Sequence, residues 1–219
     1  MKKVICNTVI IISVLLYGCA SIPKSSSIDS IIALSDIENN NISEIKQAIR
    51  KGADVNAKDR NGWTPFMYAS ANNSLEVAKL LIKEGAKVNL KANNGATALM
   101  IAAMENSKDV AELLIQKGAK INAKNGNGST SLMTASLVNA VDVANLLIEN
   151  KASVNAKARN GGTALMMAAH NNCVDVAKLL IKNGADINAK NDEGLTALGY
   201  AELRNNTAMI NMLKRYGAK

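Results

Sequence analysis

Aromatic residues are scarce in this chain of 219: one Trp, one Phe and four Tyr make up 3% of it. A core so poor in rings has to be assembled from Ala, Leu, Ile, Val and Met. Proline occurs twice, at Pro23 and Pro65, so little in the chain forbids helix. There is one histidine, His170, and there are three cysteines, Cys6, Cys19 and Cys173. That stock leaves almost no material for a metal site, and three cysteines exclude a disulfide framework. What is plentiful is aliphatic: 48% of residues are hydrophobic and 20% charged, a balance that permits a folded, soluble core. Lys and Arg number 26 against 18 Asp and Glu, a formal charge of +8.

The start of the chain reads as an address. Lys2 and Lys3 precede a mostly apolar run at 4–17, interrupted by Asn7, Thr8 and Ser13. A run of that length suits the apolar centre of a signal peptide, about 7–15 residues, and falls short of the ~20 needed for a membrane-spanning helix. Leu16-Tyr17-Gly18-Cys19 comes next. This string resembles the lipobox of bacterial lipoproteins: aliphatic, any, small, Cys. The resemblance implies a lipoprotein signal peptide at 1–18, cleavage before Cys19, and lipid attachment to the Cys19 thiol. Several acyl chains give stable membrane anchoring where one gives only marginal binding. Ala20 and Ser21 follow the cysteine where an Asp would imply inner-membrane retention, so the expected location is the cell envelope, on the periplasmic face of the outer membrane. An ordinary secretory signal or an uncleaved anchor, with Cys19 incidental, is the competing reading. Residues 19–28, with Pro23 and Ser25-Ser26-Ser27, form a polar tether.

The remainder is organised by a period. Gly-Ala-Asp-Val-Asn begins at Gly52, and related strings begin at Gly85, Gly118, Lys151, Gly184 and Gly217, each 33 residues on. A second marker, Gly-x-Thr-x-Leu/Phe, begins at Gly62, Gly95, Gly128, Gly161 and Gly194, again at intervals of 33. Two markers in register without insertion identify tandem units. The pattern is closest in 59–91, with Asp59, Gly62, Thr64-Pro65-Phe66, Ala69, Leu80-Leu81 and Gly85-Ala86, and it resembles the ankyrin repeat. The resemblance implies an all-α repeat fold, an ankyrin solenoid of about six 33-residue helix-turn-helix plus hairpin units. Their bounds are 29–58, 59–91, 92–124, 125–157, 158–190 and 191–219, and together they make a repeat domain at 29–219.

The residues supply the same fold on physical grounds. Thr64 is a helix N-cap with Pro65 at the first helical position, where a missing N–H costs nothing. Thr97, Thr130, Thr163 and Thr196 repeat the cap. The first helix of each unit ends at Asn73, Asn106, Asn139, Asn172 or Asn205, a residue type that tolerates the left-handed turn. The second helix opens with Ser74 or Ser107 as cap. Glu76, Asp109, Asp142 and Asp175 place negative charge on its first turn. Val77, Leu80, Leu81 and their equivalents form an apolar stripe at helical spacing. Gly85, Gly118 and Gly184 end it, whereas Lys151 must take the left-handed conformation without being glycine. One unit cannot bury its stripe alone, so stability has to come from stacking. The end units should carry polar outer faces: Asn39-Asn40-Asn41, Glu44, Lys46 and Arg50 at one end, Glu202, Arg204, Asn205, Asn211, Lys214 and Arg215 at the other. Where the family carries a loop-bridging His, this chain has Met67, Met100, Met133, Met166 and Gly199. Met packs but does not bridge, which predicts less tightly tied loops.

Catalytic chemistry is hard to place. There is no phosphate-binding G-x-x-x-x-G-K-[ST] string and no H-E-x-x-H helix. No catalytic residue, metal site, cofactor or small-molecule substrate is expected. His170, at the end of a first helix, is a pH-sensitive contact or an exposed helix-end residue. Cys173 begins a second helix, whose dipole would lower a thiol pKa. A periplasmic thiol or redox protein acting through Cys173 is therefore the alternative function. The methionine column reads as core before it reads as a thioether copper site.

What remains is surface. In ankyrin proteins partners dock on the hairpin tips and the inner faces of the first helices. Carried over position by position, the resemblance implies partner-binding roles for Arg60, Asn61, Trp63 and Asn72; Asn93, Asn94, Met104 and Glu105; Asn127, Leu137 and Val138; Arg159, Asn160, His170 and Asn171. Trp63 is either a binding anchor or a cover for the first interface. Lys58, Lys91, Lys124, Lys157 and Lys190 recur once per unit along the hairpins. They make either a basic rail for an acidic partner or a merely soluble turn residue. Nucleic acid is a poor partner, since stacking rings are missing. The expected function is a non-catalytic protein-binding module: a membrane-anchored, exported lipoprotein acting as adaptor or scaffold.

Overall fold

The computed structural model describes residues 34–219. The expected signal peptide, Cys19 and the expected tether lie outside the described residues. Within them are twelve helices and no strand; one isolated antiparallel bridge joins Lys91 to Thr97. The helices come in consecutive pairs: α1 (Leu34–Glu38) with α2 (Ile42–Arg50), α3 (Pro65–Ala71) with α4 (Leu75–Lys83), and α5 (Ala98–Met104) with α6 (Lys108–Gln116). Then follow α7 (Ser131–Leu137) with α8 (Val141–Glu149), α9 (Ala164–His170) with α10 (Val174–Lys182), and α11 (Ala197–Leu203) with α12 (Thr207–Arg215). Each pair packs on the next, so the core is one continuous column.

From α3 onward, each first helix starts on its own threonine. Thr64, Thr97, Thr130, Thr163 and Thr196 have extended backbones, and each Oγ1 accepts from the N–H three residues on. Each ends on an asparagine in the left-handed region, from Asn73 at φ 49° to Asn172 at φ 56°. The residue after it folds back: the Ser74 N–H donates to Ala69 O at 2.9 Å, closing a Schellman turn. The second helices close the same way, with the Ala152 N–H donating to Leu147 O at 2.9 Å. Their left-handed residue is Gly85, Gly118 or Gly184, and Lys151 takes the same place at φ 69°, as expected.

Packing repeats with the sequence. Ala69, Ala102, Ala135, Ala168 and Ala201 on the first helices are fully buried, as are Leu81, Leu114, Leu147, Leu180 and Leu213 on the second. Small residues let the first helices pack closely on one another, and the second-helix row touches more sparsely. Met67, Met100, Met133 and Met166 are all buried, consistent with core use. The polar residues assigned to the two ends are exposed, although Leu203 and Tyr216 are exposed beside them.

One expectation needs correction. Ser74 and Ser107 occupy N-cap positions but make no side-chain cap; the Ser74 hydroxyl donates backward to Ile37 O at 3.4 Å. For α6, which follows Ser107, a cap arrives instead from the preceding pair. Asn73 Oδ1 accepts from the Val110 N–H at 3.3 Å, and its Nδ2 donates to Asp109 at 3.1 Å. Asn139 does the same for Val176 and Asp175. The loops are joined by side chains from the asparagine of the first marker. Asn56 donates to Gly85 O at 3.2 Å and accepts from the Lys87 N–H at 2.8 Å. Asn89, Asn122 and Asn155 repeat both bonds further along. This asparagine lattice ties each loop to the next.

Candidate functional site

The hairpins form one edge of the stack. Each tip is a tight turn; at the first, the Gly62 N–H donates to Asp59 O and the Asp59 N–H to Trp63 O, both at 2.9 Å. Gly62 has φ 76°, and a Cβ there would lie 2.7 Å from the Asn93 nitrogen, so only glycine allows the next tip to approach. The tips are then joined by backbone bonds: Asn93 N–H to Asn61 O, Gly126 to Asn94, Arg159 to Asn127, and Asp192 to Asn160, at 2.8–3.1 Å.

The predicted tip residues are exposed, but several are already engaged. Asn93 Nδ2 donates to Arg60 O at 2.8 Å. The carboxamide oxygens of Asn94 and Asn160 accept from the N–H two residues on. For Asn94 and Asn160 the side chain shapes the turn, and for Asn93 it ties one tip to the preceding one, which explains the residue type without a ligand. Arg60, Asn61, Asn127 and Arg159 stand exposed on the same edge.

Beneath the tips runs the lysine column, and its geometry is regular. Lys58 Nζ donates to Lys91 O at 2.8 Å, Lys91 to Lys124 O at 2.9 Å, Lys124 to Lys157 O at 2.8 Å and Lys157 to Lys190 O at 3.3 Å. Each ammonium therefore tethers its unit to the next while remaining at the surface. The lysine at this position has a structural role that neither sequence reading contained.

The first-helix face is half apolar. Trp63 is half-buried, packed on the core with its ring 5.1 Å from Tyr68. Met104 and Leu137 are half-buried, and Val138 is 38% exposed. Leu203, at the end of the same row, is 66% exposed. Glu105 sits among them, and burial pushes its carboxyl above the ordinary carboxylate value. His170 lies edge-on to Tyr200 at 5.7 Å. Burial, then the Arg204 charge, holds its imidazole below the usual value, so it is neutral at neutral pH. It is half-buried, not simply an exposed helix end. Asn72 and Asn171 are exposed, each donating to a nearby carbonyl, Tyr68 O and Leu137 O. Sequence reasoning missed Tyr68 and Tyr200, two half-buried rings on this face. Their signal was the register Tyr68, Ile101, Thr134, Met167, Tyr200, which repeats at 33 like the markers.

Cys173 corrects the alternative reading. It does occupy the N-cap position of α10, yet it is only 5% exposed. Burial raises its thiol pKa and nearby Asp175 adds to that, against a smaller opposing contribution from a backbone hydrogen bond to Asn139. Its Sγ lies against the carbonyls of Leu137 and Asn171. A buried, protonated thiol is a poor nucleophile, so redox chemistry at this position has no support. Among the described residues no cluster of His, Cys, Asp and Glu suits a metal, and no helix is long and apolar enough to cross a membrane.

Helix pairs stacked in register, with a turn edge and a half-apolar face presented along their length, define a helical repeat solenoid. The ankyrin-repeat family model matches at residues 31–125, 89–158 and 132–219, and the chain belongs to the ankyrin repeat family. Members of that family are in general non-catalytic protein-interaction modules. No curated protein matches the chain.

Proposed function

We propose that this chain is an exported, lipid-anchored array of about six units that binds a partner protein in the cell envelope as an adaptor or scaffold. Residues 1–18 are its signal peptide, Cys19 its lipid attachment and 19–28 its tether, which would hold 29–219 near the outer membrane on the periplasmic side. The partner is an acidic protein, gripped by the first-helix face and steered by the hairpin cations. One observation carries the reading: apolar side chains at the ends of three first helices, Met104 on α5, Leu137 with Val138 after it on α7, and Leu203 on α11, stay at least partly open to solvent on one face, with His170 of α9 between them. Open apolar side chains in line suit an interaction surface better than a core.

A photo-crosslinker in place of Val138, in intact cells, tests this. The expected result is a discrete adduct with one acidic protein that does not form when the probe replaces Lys182 on α10. Identical adducts from both positions would overturn the surface. Mass measurement of the mature N-terminus tests the anchor, with a diacylglycerol-modified Cys19 expected and an unmodified residue against it.

A further inference from the structure

The charges of the middle hairpins are segregated. Residues 85–104, 118–141 and 150–174 contain no Asp or Glu. The hairpins in those segments carry Lys87, Lys91, Lys120, Lys124, Lys151, Lys157 and Arg159, all exposed. Of the acidic residues between 105 and 175, Asp109 and Glu112 sit on α6, Asp142 and Glu149 on α8 and Asp175 on α10; Glu105 is the exception. At the two ends the segregation stops: Asp54 and Asp59 flank Lys58, and Asp186, Asp192 and Glu193 flank Lys190. The cationic strip therefore has a defined length, the middle three hairpins.

Within it the ladder lysines are pinned. Because Lys91 and Lys124 each bond the carbonyl of the equivalent residue one unit on, their ammoniums repeat at the spacing of the units. Helix-packing distances put that spacing at about 10 Å. A carbonyl neutralises no charge, and an ammonium with three N–H groups keeps two to offer. Regular, partly immobilised cations demand less ordering from a ligand than free side chains do.

Resting on the adaptor reading above, we infer that this strip binds an extended acidic segment of the partner with a carboxylate at about every third residue. A polyproline II chain, a major form of unfolded segments, turns once in three residues and rises roughly 9 Å doing so. Each turn then sets one carboxylate opposite one ladder lysine. A β-strand repeats its face at about 7 Å and so misses the middle of three ladder lysines by about 3 Å. A helix reaches the pitch only with acids seven apart, about 10.5 Å, and so needs more than twice as many residues to cover the same strip.

The test uses the full-length protein and fluorescein-labelled peptides read by anisotropy at two salt concentrations. A Glu-Pro-Pro repeat is expected to bind, more weakly at high salt, and to outbind a peptide of equal composition with its glutamates in one block. Lys91→Gln with Lys124→Gln and Lys157→Gln is expected to weaken binding about tenfold, since two or three surface pairs of under about 1 kcal/mol each are lost. Those lysines also tie the stack. Lys87→Gln with Lys120→Gln, outside the ladder, is therefore the second variant, expected to weaken binding several-fold with an unchanged melting temperature. Lys178→Gln with Lys182→Gln on α10 should leave binding intact. Equal affinity for the blocked peptide, preference for a helical peptide with acids seven apart, or binding only to vesicles of anionic lipid would overturn the inference. Retention of the Val138 adduct in the lysine variants, with no peptide binding by the native protein, would sink this inference and leave the adaptor reading standing.

Discussion

From α3 onward, the first and second helices of each pair face the same need at their N-termini and meet it with different parts of the chain. First helices carry their own cap, a threonine hydroxyl accepting an N–H three residues away. Second helices have a serine, alanine, cysteine or asparagine at that position and no side-chain cap of their own. For α6 and α10 the acceptor is an asparagine about 37 residues upstream, on the preceding pair. One row is thus locally encoded, and in the other α6 and α10 are completed by the preceding pair. The dependence runs forward along the chain there, because Asn73 and Asn139 each serve the pair that follows their own. Cooperativity between units has here a polar component beside the apolar one.

The largest effect is expected where both roles meet in one residue. Asn139 holds φ 55° and caps α10. Asn139→Ala loses the side chain and keeps the strained backbone, and should cost about 2 kcal/mol in a urea titration. Asn139→Gly keeps the turn and loses only the lent cap, so about 1 kcal/mol or less is expected. The difference between the two separates turn from cap. A glycine variant as stable as the native protein would show that the cap contributes nothing.

Thr163→Ala breaks the other side of the comparison. Loss of the local cap on α9 should cost about 1 kcal/mol. Native-state hydrogen exchange gives the sharper contrast: faster exchange in the first turn of α9 for Thr163→Ala, and in the first turn of α10 for Asn139→Gly. Identical patterns would dissolve the distinction between local and borrowed caps.

That distinction also explains what could be read in advance. The period, the threonine caps, the left-handed asparagines and the strained Lys151 follow from neighbours in sequence, and all are present in the structure. The borrowed caps and lysine tethers join residues 33–37 apart, a relation that has meaning only once stacking geometry is known. Asn73 was therefore legible as a turn residue and invisible as a cap. Ser74 was misread because serine is the commonest kind of cap and its bond to Ile37 O lies a unit away. Cys173 shows the same limit in the candidate site: its helix-end position was legible, its burial was not, and burial is the first cause of its raised pKa. Tip positions were placed correctly on the surface, while the internal bonds of Asn93, Asn94 and Asn160 needed coordinates.

Lys151 sharpens the comparison at the other end of the second row. Its φ is 69°, where Gly85, Gly118 and Gly184 serve the equivalent turns. Lys151→Gly should raise stability by up to about 1 kcal/mol, through relief of the left-handed strain of an L-residue. Thermal melting checks it, and a lower midpoint would mean that the lysine side chain contributes more than its backbone costs. The Asn122 bond to the Lys151 carbonyl uses the main chain and survives the change.

Glu105 offers the smallest effect and the one with a pH signature. It stands at the C-cap of α5, where Asn72 and Asn171 stand on α3 and α9. A carboxylate there faces the negative end of a helix dipole and is half-buried besides. Burial raises its pKa, so the folded state holds this proton more tightly than the unfolded chain. The sign follows: stability is greatest below the ordinary carboxylate value and is lost as pH rises through the raised folded value. Glu105→Gln removes the ionisable group while keeping its shape. At neutral pH the variant should therefore be more stable than the native protein by several tenths of a kcal/mol, the scale of one helix-end charge. In acid, where Glu105 is protonated in both states, the advantage should vanish. Urea titrations across that range measure it, and an advantage independent of pH would assign the gain to packing or hydrogen bonding and not to charge.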